Sequence, residues 1–593
     1  MPVSILKFAA RTKPYSVKSL SDGSKNLNNF YVSQEEAALL KESANELNSW
    51  DLTQRQTCDL ELILNGAFSP LVGFMDEKEY ASVVSRQRLT TGALWPIPIT
   101  LDVDQPFAEK LHTGEEIALR DPEGMLIAIL AVSDVYTPDR STELSVLFGD
   151  SGLNHSGVLF VREHVNEVYI GGSLRGIEAP LHHDFRKLRD DPAELRERFT
   201  KMGWKRIIGF QTRRPLHRRE VNQTFRAARL AEANLLIHPA VGDLTTEEPY
   251  LYARVNCFEH VVKHYPVQTT DLTLTPLFPR NAGILDILLH AIVQKNSGCT
   301  HFMVNENYLN SELEEAVHDF DEVEQRIKGE YEALLGMELV HNEKMVYAEK
   351  RGGYVPVREL PHTEMPQIIS DEDLRDRLNR GLEVPDWYSY PEVIKEVRKV
   401  VKSPVEQGLT VFFTGLSGSG KSSIANALLV KMMEIGGRSV TLLDGDIVRQ
   451  NLSSELGFSR PHRDINIRRI GYVASEITKH GGVAICAPIA PYEATRAFVR
   501  DMVSKVGGFV EVHVATSLEE CERRDRKGLY ARARAGIIRE FTGISDPYEV
   551  PENSELRIDT EGIQAEEAAQ EIILKLERMG FISLQSSAYG WSL

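Results

Sequence analysis

The chain has 593 residues, too many for one ordinary core, and its length predicts about three or four domains. Hydrophobic residues make up 42% and charged residues 26%, a soluble globular composition. The net charge of −18 excludes general binding to nucleic acid or to an anionic membrane, and leaves only a local basic pocket for a small anion.

The first segment, MPVSILKFAARTKPYSVKSL, is basic and acid-poor, and its apolar stretch is too short for a secretory signal. It reads as a plain flexible start, with a transit peptide as the alternative. No uncharged apolar run reaches membrane-spanning length. The five cysteines, Cys58, Cys257, Cys299, Cys486 and Cys521, form no CxxC pair and are odd in number. That argues against a disulfide framework or a zinc site and for a reducing compartment, so a cytoplasmic location is expected.

Residues 1–170 hold short apolar runs broken by Gly and Pro, such as 94–102 (LWPIPITLD), which predict a β-rich domain. From Trp204 the texture changes. Strand-like runs at 206–210, 235–238 and 301–304 alternate with helix-like segments at 218–233 and 284–295, the pattern of an α/β domain with a parallel sheet. Residues 371–381 read as a polar-faced helix, and Pro385, Pro391 and Pro404 punctuate the stretch after it. The last domain is expected to begin near 395–405. The predicted division is 1–170, 171–395 and 396–580, with a loose tail at 581–593.

The strongest motif is Gly415-Leu-Ser417-Gly418-Ser419-Gly420-Lys421-Ser422, a match to GxxxxGK[ST]. A predicted strand at 409–413 leads in and a predicted helix at 423–434 leads out, which is the context the motif needs. The glycines let backbone N–H groups converge on phosphate oxygens, and the helix N-terminus adds positive potential. Lys421 can reach the β- and γ-phosphates of ATP, and Ser422 can ligate Mg²⁺, with Ser423 next in the cradle.

A second strand, 439–443, runs into Asp444-Gly445-Asp446. Carboxylates at a strand's carboxyl end beside such a loop can hold Mg²⁺ or take a proton from an attacking hydroxyl; the plain alternative is a common Asp-Gly turn. The stretch Arg449, Arg460, His462, Arg463, Arg468, Arg469 is dense in positive charge within an acidic chain, so it reads as an anion pocket rather than a solvated face. A third buried strand is predicted at 483–488. Residues 523–539 hold six arginines and one lysine around Gly528 and Gly536, which suits a lid closing over phosphates.

From these residues onward the segment resembles adenylylsulfate (APS) kinases. The matching blocks are GLSGSGKSS (415–423), LDGDIVR (443–449), GFS (457–459), NIRRIGYVA (466–474), KGLYARARAG (527–536), FTGI (541–544) and PYEVP (547–551). The resemblance implies a P-loop kinase with a parallel sheet that uses Mg²⁺ and ATP to phosphorylate APS at its 3′-hydroxyl, giving PAPS for sulfate activation. It implies that Arg449, Arg463 and Asn466 hold the phosphosulfate and ribose and that Phe458 and Phe541 sandwich the adenine. It further implies that Lys527 and Leu529 contact APS from the lid, and that Asp446, with Asp444, serves the metal or the 3′-hydroxyl. Two positions depart from the family: His462 stands where Asp is usual before Arg463, and Ala490 where Ser is common.

Residues 1–395 resemble ATP sulfurylases through CDLELILNGAFSPLVGFM (58–75), GFQTRRPLHR (209–218), LLIHPAVGD (235–243), RVNCFE (254–259), HAIVQKNSGCTHFMV (290–304), MVYAE (345–349) and VPDWYSYPEV (384–393). This implies a PUA-like β domain followed by an α/β nucleotidyltransferase-type domain. The family's QxRNPxHRxH loop reads Gln211-Thr-Arg213-Arg214-Pro-Leu-His217-Arg218-Arg219-Glu220 here, and its GRDHAG loop reads Asn305-Glu306-Asn307-Tyr308-Leu309-Asn310. A third loop, of TKPGD type, has become Leu244-Thr-Thr-Glu-Glu248. Joining sulfate to an α-phosphate needs concentrated positive charge, and Glu220 and Glu306 bring carboxylates instead. The expectation is therefore an APS kinase whose sulfurylase-like part no longer makes APS and serves as a scaffold or regulatory module. The alternative is a bifunctional enzyme, with Arg214 and Arg219 restoring charge. No guanine-reading NKxD motif occurs. By resemblance the chain forms homo-oligomers, with a hexamer as the specific expectation; ATP and APS are its small-molecule partners, and neither nucleic acid nor membrane is one.

Overall fold

The computed structural model describes residues 27–149, 152, 154–242, 249–304, 320–457, 459–525 and 527–582, and the architecture is that of these described residues. The chain forms two compact units: Met1–Ile369 with Pro385–Val400, and Ser370–Val384 with Val401–Leu593.

Unit 1 opens with a mixed sheet of six strands: β1 (Asn48–Asp51), β2 (Gly73–Phe74), β3 (Leu101–Val103), β4 (Glu116–Arg120), β5 (Leu126–Tyr136) and β6 (Val168–Gly176). Their order is β1-β4-β5-β6-β2, with β3 also on β6. Only part of the apolar run 94–102 is a strand. Pro96 and Pro98 cannot donate to a ladder, so regular pairing starts at Leu101, while Trp95, Ile97 and Ile99 fill the core. Helix α1 (Gln54–Leu64) starts at Thr53, whose hydroxyl accepts from Gln56 N while the Gln56 side chain accepts from Thr53 N.

The second sheet of unit 1 is parallel throughout, in the order β11-β10-β7-β8-β9. Its strands are β7 (Ile207–Phe210), β8 (Asn234–Ile237), β9 (Thr270–Leu272), β10 (His301–Met303) and β11 (Glu338–Val340). Helices α2 (Arg218–Leu230) and α3 (Ile284–Asn296) fall where the alternation placed them. Helix α3 is apolar nearly all round and almost wholly buried, as such a helix must be. The chain leaves β7 through β8 and β9, then returns to β10 on β7's other side. The strand order thus reverses between β7 and β10, and a crevice at their carboxyl ends is where open parallel sheets bind ligands. A hairpin, β12 (Met345–Ala348) and β13 (Gly353–Pro356), completes the strands of the unit.

Unit 2 is built on five parallel strands, β14 (Leu409–Thr414), β15 (Val440–Asp444), β16 (Val483–Ala487), β17 (Gly508–Val514) and β18 (Leu556–Ile558), in the order β15-β16-β14-β17-β18. The central strand, LTVFFT, is buried at every position, which explains its unbroken apolar run. Around it lie α4 (Lys421–Ile435), α5 (Gly445–Leu452), α6 (Arg460–Lys479), α7 (Glu493–Ser504), α8 (Leu518–Arg524), α9 (Leu529–Arg534) and α10 (Ala565–Arg578). Helix α10 carries Ile572, Ile573 and Leu576 on one face, and these join Ile424, Leu428 and Met432 of α4 in one core. The fold class expected from the sequence is what the structure has: a PUA-like β domain, an α/β domain, and a P-loop domain with a parallel sheet.

Candidate active site

In unit 2 the phosphate loop runs from the carboxyl end of β14 into α4. Gly415, Gly418 and Gly420 have φ of +148°, +77° and +105°, which side chains rarely adopt. A Cβ on Gly415 would lie 2.5 Å from the Val514 carbonyl oxygen. Gly420 is the N-cap of α4, so the helix starts at Lys421 rather than at the expected 423, which brings Ser422 and Ser423 into its first turn. Ser419 is buried, and its carbonyl accepts from the Thr516 and Thr560 hydroxyls at 3.0 and 2.9 Å.

Lys421 is buried, with its Nζ donating to the Gly415 and Leu416 carbonyls at 2.9 and 2.6 Å. Burial pushes its pKa down to about 8 against the partial support of Cys521 and Asp444. Ser422 Oγ donates to Asp444 Oδ2 at 2.8 Å, at the carboxyl end of β15. A hydroxyl and a carboxylate at this spacing are the hard oxygen donors that Mg²⁺ takes, so the residues fit the ion. No cluster of three or more His, Cys, Asp or Glu side chains that could hold a metal ion occurs among the described residues. Asp446 lies in the first turn of α5, and its side chain is outside the described residues, as is the whole of Phe458.

The residues expected to hold APS come from several segments. Arg463, in the first turn of α6, donates to Thr542 Oγ1 (2.6 Å) and the Glu540 carbonyl (3.1 Å), and pairs with Asp546 Oδ2 at 3.0 Å. Asp546 also accepts from the Tyr492 hydroxyl at 2.6 Å. Asn466 is buried one turn along α6, and its Oδ1 has no hydrogen-bond partner among the described residues, as a group waiting for a ligand would. Arg449 Nη1 donates to the Leu456 and Gly457 carbonyls, both at 2.9 Å. Phe541 stands edge-on to Tyr530, ring centroids 5.0 Å apart. Lys527 is exposed just before Leu529, the first residue of α9. An open cleft of about 530 Å³ is lined by Leu416 and residues 543–548, Asp546 among them.

Sequence reasoning did not single out Asp546, Tyr492, Thr516, Thr560 or Tyr530. Tyr530 sat inside the KGLYARARAG block and Asp546 directly before PYEVP, so position was legible and partnership was not. The departure at His462 has an explanation. Its Nδ1 accepts from Gly457 N at 2.8 Å, so the imidazole supplies the acceptor that an Asp there would also offer. The lid arginines are partly neutralised: Arg523 and Arg524 pair with Glu520, and Arg534 with Glu522.

In unit 1, the Gln211 loop leaves the carboxyl end of β7, and residues 305–310 come after β10, whose Met303 is the ladder partner of Phe210. Gln211 is fully buried; Arg213 donates to Asn281 Oδ1 at 3.0 Å; His217 Nδ1 lies 2.8 Å from Ser389 Oγ. His238 and His290 are buried, and burial pushes them down to about 4 and about 3, so both are neutral.

Glu220 does not behave as expected. It accepts from His217 N at 3.0 Å at the N-terminus of its own helix, α2, and from Arg219 Nε at 2.8 Å. Burial works against its charge, but Arg219, His217 and these hydrogen bonds outweigh it and hold its pKa below the usual carboxylate value. The expected repulsion between Glu220 and a polyphosphate therefore loses its basis, because the carboxylate is turned to its own helix and paired. Residues 305–310, with Glu306 and Tyr308, and the loop 244–248 lie outside the described residues.

Three family models match in chain order: a PUA-like domain over residues 20–179, ATP-sulfurylase over 186–400 and adenylylsulphate kinase over 407–559. A sulfate adenylyltransferase of Mycosarcoma maydis is 44% identical over 554 residues, 92% of this chain and 96% of the relative. One of Phaeosphaeria nodorum is 44% identical over 550 residues, 91% and 95% of the two chains. Among solved structures, a hexameric APS kinase from Thiobacillus denitrificans superposes with a TM-score of 0.78 at 41% identity, covering 94% of this chain and 98% of that one. The expectation of a lost sulfurylase reaction finds no support in relatives that carry the adenylyltransferase name over the same length. No described helix is long and apolar enough to cross a membrane.

Proposed function

Since the chain belongs to the sulfate adenylyltransferase family and ends in an adenylylsulphate kinase domain, we propose that unit 2 transfers the γ-phosphate of ATP to the 3′-hydroxyl of APS, giving ADP and PAPS. The observation that carries this is the buried Lys421 in its glycine loop beside the Ser422–Asp444 pair, 2.8 Å apart. Lys421 neutralises charge on the β- and γ-phosphates, and the loop's N–H groups cradle them. Ser422 and Asp444, with Asp446, hold Mg²⁺, which when bound offsets phosphate charge. Asp446 orients the 3′-hydroxyl or takes its proton. Arg449, Arg463 and Asn466 hold the anhydride and ribose of APS, while Phe458 and Phe541 stack on its adenine. Lys527 and Leu529 contact APS from the lid, whose closure keeps water from the γ-phosphate.

For unit 1, the pairing of Glu220 with Arg219 favours a second reading, that it also joins ATP and sulfate into APS. Gln211, Arg213 and His217 of the family loop are present to handle the anions. The scaffold reading rests on the other replacements, Arg214 and residues 244–248 and 305–310. The domain division 1–170, 171–395 and 396–580 with a tail at 581–593, a homo-hexamer, and a cytoplasmic site of action for sulfate assimilation belong to the same proposal. Five free, buried cysteines support a reducing location.

A two-part assay on the full chain tests both readings. One reaction holds ATP, Mg²⁺ and APS and is read for PAPS; the other holds ATP, Mg²⁺, sulfate and pyrophosphatase and is read for APS and PAPS. Product in both supports the bifunctional chain. PAPS in the first alone supports the kinase with a scaffold, and an inert first reaction with folded protein removes the kinase reading.

A further inference from the structure

Tyr530, the second residue of α9, connects three parts of unit 2. Its hydroxyl donates to the Ser417 carbonyl of the phosphate loop at 2.7 Å. Its ring meets the Phe541 ring edge-on at 79°. Its backbone N–H, with that of Ala531, is held by the Asp525 carboxylate at 3.1 and 2.9 Å, which fixes the start of the helix. The side chain is buried, and burial pushes the phenol above its ordinary pKa, so it remains a hydrogen-bond donor throughout the working range.

The Ser417 peptide is one of those whose orientation matters to a nucleotide. A trans peptide is planar, so fixing its carbonyl on one side turns the following N–H, that of Gly418, to the other. Gly418 has φ +77° and no side chain to hold that peptide by itself. The tether from the lid supplies the missing restraint. We propose that Tyr530 is a positioning residue for ATP, holding the Ser417–Gly418 peptide of the phosphate loop from the lid while its ring seats Phe541. The proposal rests on the kinase reading and deepens it: the lid orders the phosphate cradle as well as covering it.

The test compares the full chain with Tyr530→Phe, which keeps the ring and loses the tether, and Tyr530→Leu, which loses both. Binding of a non-hydrolysable ATP analogue is titrated calorimetrically, and KM for ATP, KM for APS and kcat are measured separately. A lost hydrogen bond of ordinary strength weakens the analogue about three- to tenfold. Tyr530→Phe is expected to show that loss, with a matching rise in KM for ATP and KM for APS within about twofold of the parent. Tyr530→Leu raises KM for APS as well, because Phe541 loses its edge contact. Unchanged analogue affinity in Tyr530→Phe overturns the proposal. So does an equal rise of both KM values with a lowered melting temperature, the signature of a merely structural role. Hydrogen exchange of the peptide spanning 415–420 gives a reading free of turnover: it speeds up in Tyr530→Phe without nucleotide, and unchanged exchange refutes the tether. A parent chain that binds the analogue but forms no PAPS defeats the kinase reading and leaves the Tyr530 test standing.

Discussion

The buried lysine of the phosphate loop makes ATP capture depend on pH in a direction that can be worked out. Lys421 titrates near 8 in the free protein, against 10.5 for an ordinary lysine, because burial penalises its charge. Only the ammonium form attracts phosphate oxygens. With a pKa of about 8, roughly nine-tenths of the lysine is charged at pH 7 and roughly one-tenth at pH 9. The value of kcat/KM for ATP at saturating APS reports the enzyme whose ATP site is empty. It should hold level to about pH 7.5 and then fall, approaching tenfold per pH unit above 8. Bound phosphates restore the lysine's pKa, so kcat should bend at a higher pH than kcat/KM. Burial pushes the neighbouring Cys521 thiol up. A Lys421→Arg chain keeps its charge at every pH tested, and its affinity for a non-hydrolysable ATP analogue should be flat from pH 7 to 9.5. Stability must move consistently. The folded pKa is depressed, so the unfolded chain holds more protons between about 8 and 10.5, and a cost of roughly 3 kcal/mol at neutral pH is relieved as pH rises through that window. A parent kcat/KM that stays flat to pH 9.5 refutes the reasoning, since Lys421 would then ionise as an exposed lysine does.

The geometry sets three further outcomes. Asp444→Asn removes the carboxylate beside Ser422 and should lower kcat by about 10²- to 10⁴-fold and raise the Mg²⁺ requirement, with melting unchanged, as read by PAPS formation against Mg²⁺ concentration. Asp546→Asn loosens Arg463 and should raise KM for APS by about ten- to a hundredfold, the worth of a charged hydrogen bond, with kcat within a few-fold. Glu220→Gln should destabilise unit 1 by about 1–3 kcal/mol at pH 7 while leaving PAPS formation intact. Because the folded pKa of Glu220 is depressed, its stabilisation is present above the unfolded value and is lost as pH falls through the folded one, so the variant's acid-unfolding limb should be shallower. Urea unfolding by tryptophan fluorescence reads this, since four of the five tryptophans, Trp50, Trp95, Trp204 and Trp387, belong to unit 1 and Trp591 to unit 2.

What the sequence made legible was local. The phosphate loop needed only its own spacing and flanks, and the alternation from Trp204 onward found strands and helices to within a few residues. The run 94–102 marked a β-rich domain without giving its strand limits, because apolarity says a segment is buried, not that its backbone is paired, and two prolines decide the second question. The APS-side partners escaped for a related reason: Asp546, Tyr492 and Arg463 come from three separate segments, and nothing local announces that they meet.

Glu220 carries the sharpest lesson, because a sequence states the sign of a charge and not its direction. A replaced residue removes a function only when the new side chain reaches the substrate. Glu220 instead closes the first turn of its own helix and takes Arg219 as partner. The stretch 211–220 therefore holds Arg213, Arg214, Arg218 and Arg219 against that single carboxylate, a formal charge of plus three from four arginines and one glutamate. The family loop QxRNPxHRxH specifies two arginines and, at its fixed positions, no acid. Positive charge is what a reaction between two anions needs. Glu220 by itself therefore does not argue against a reaction of sulfate with ATP, and the sulfate-dependent half of the two-part assay measures whether the replaced residues 244–248 and 305–310 do.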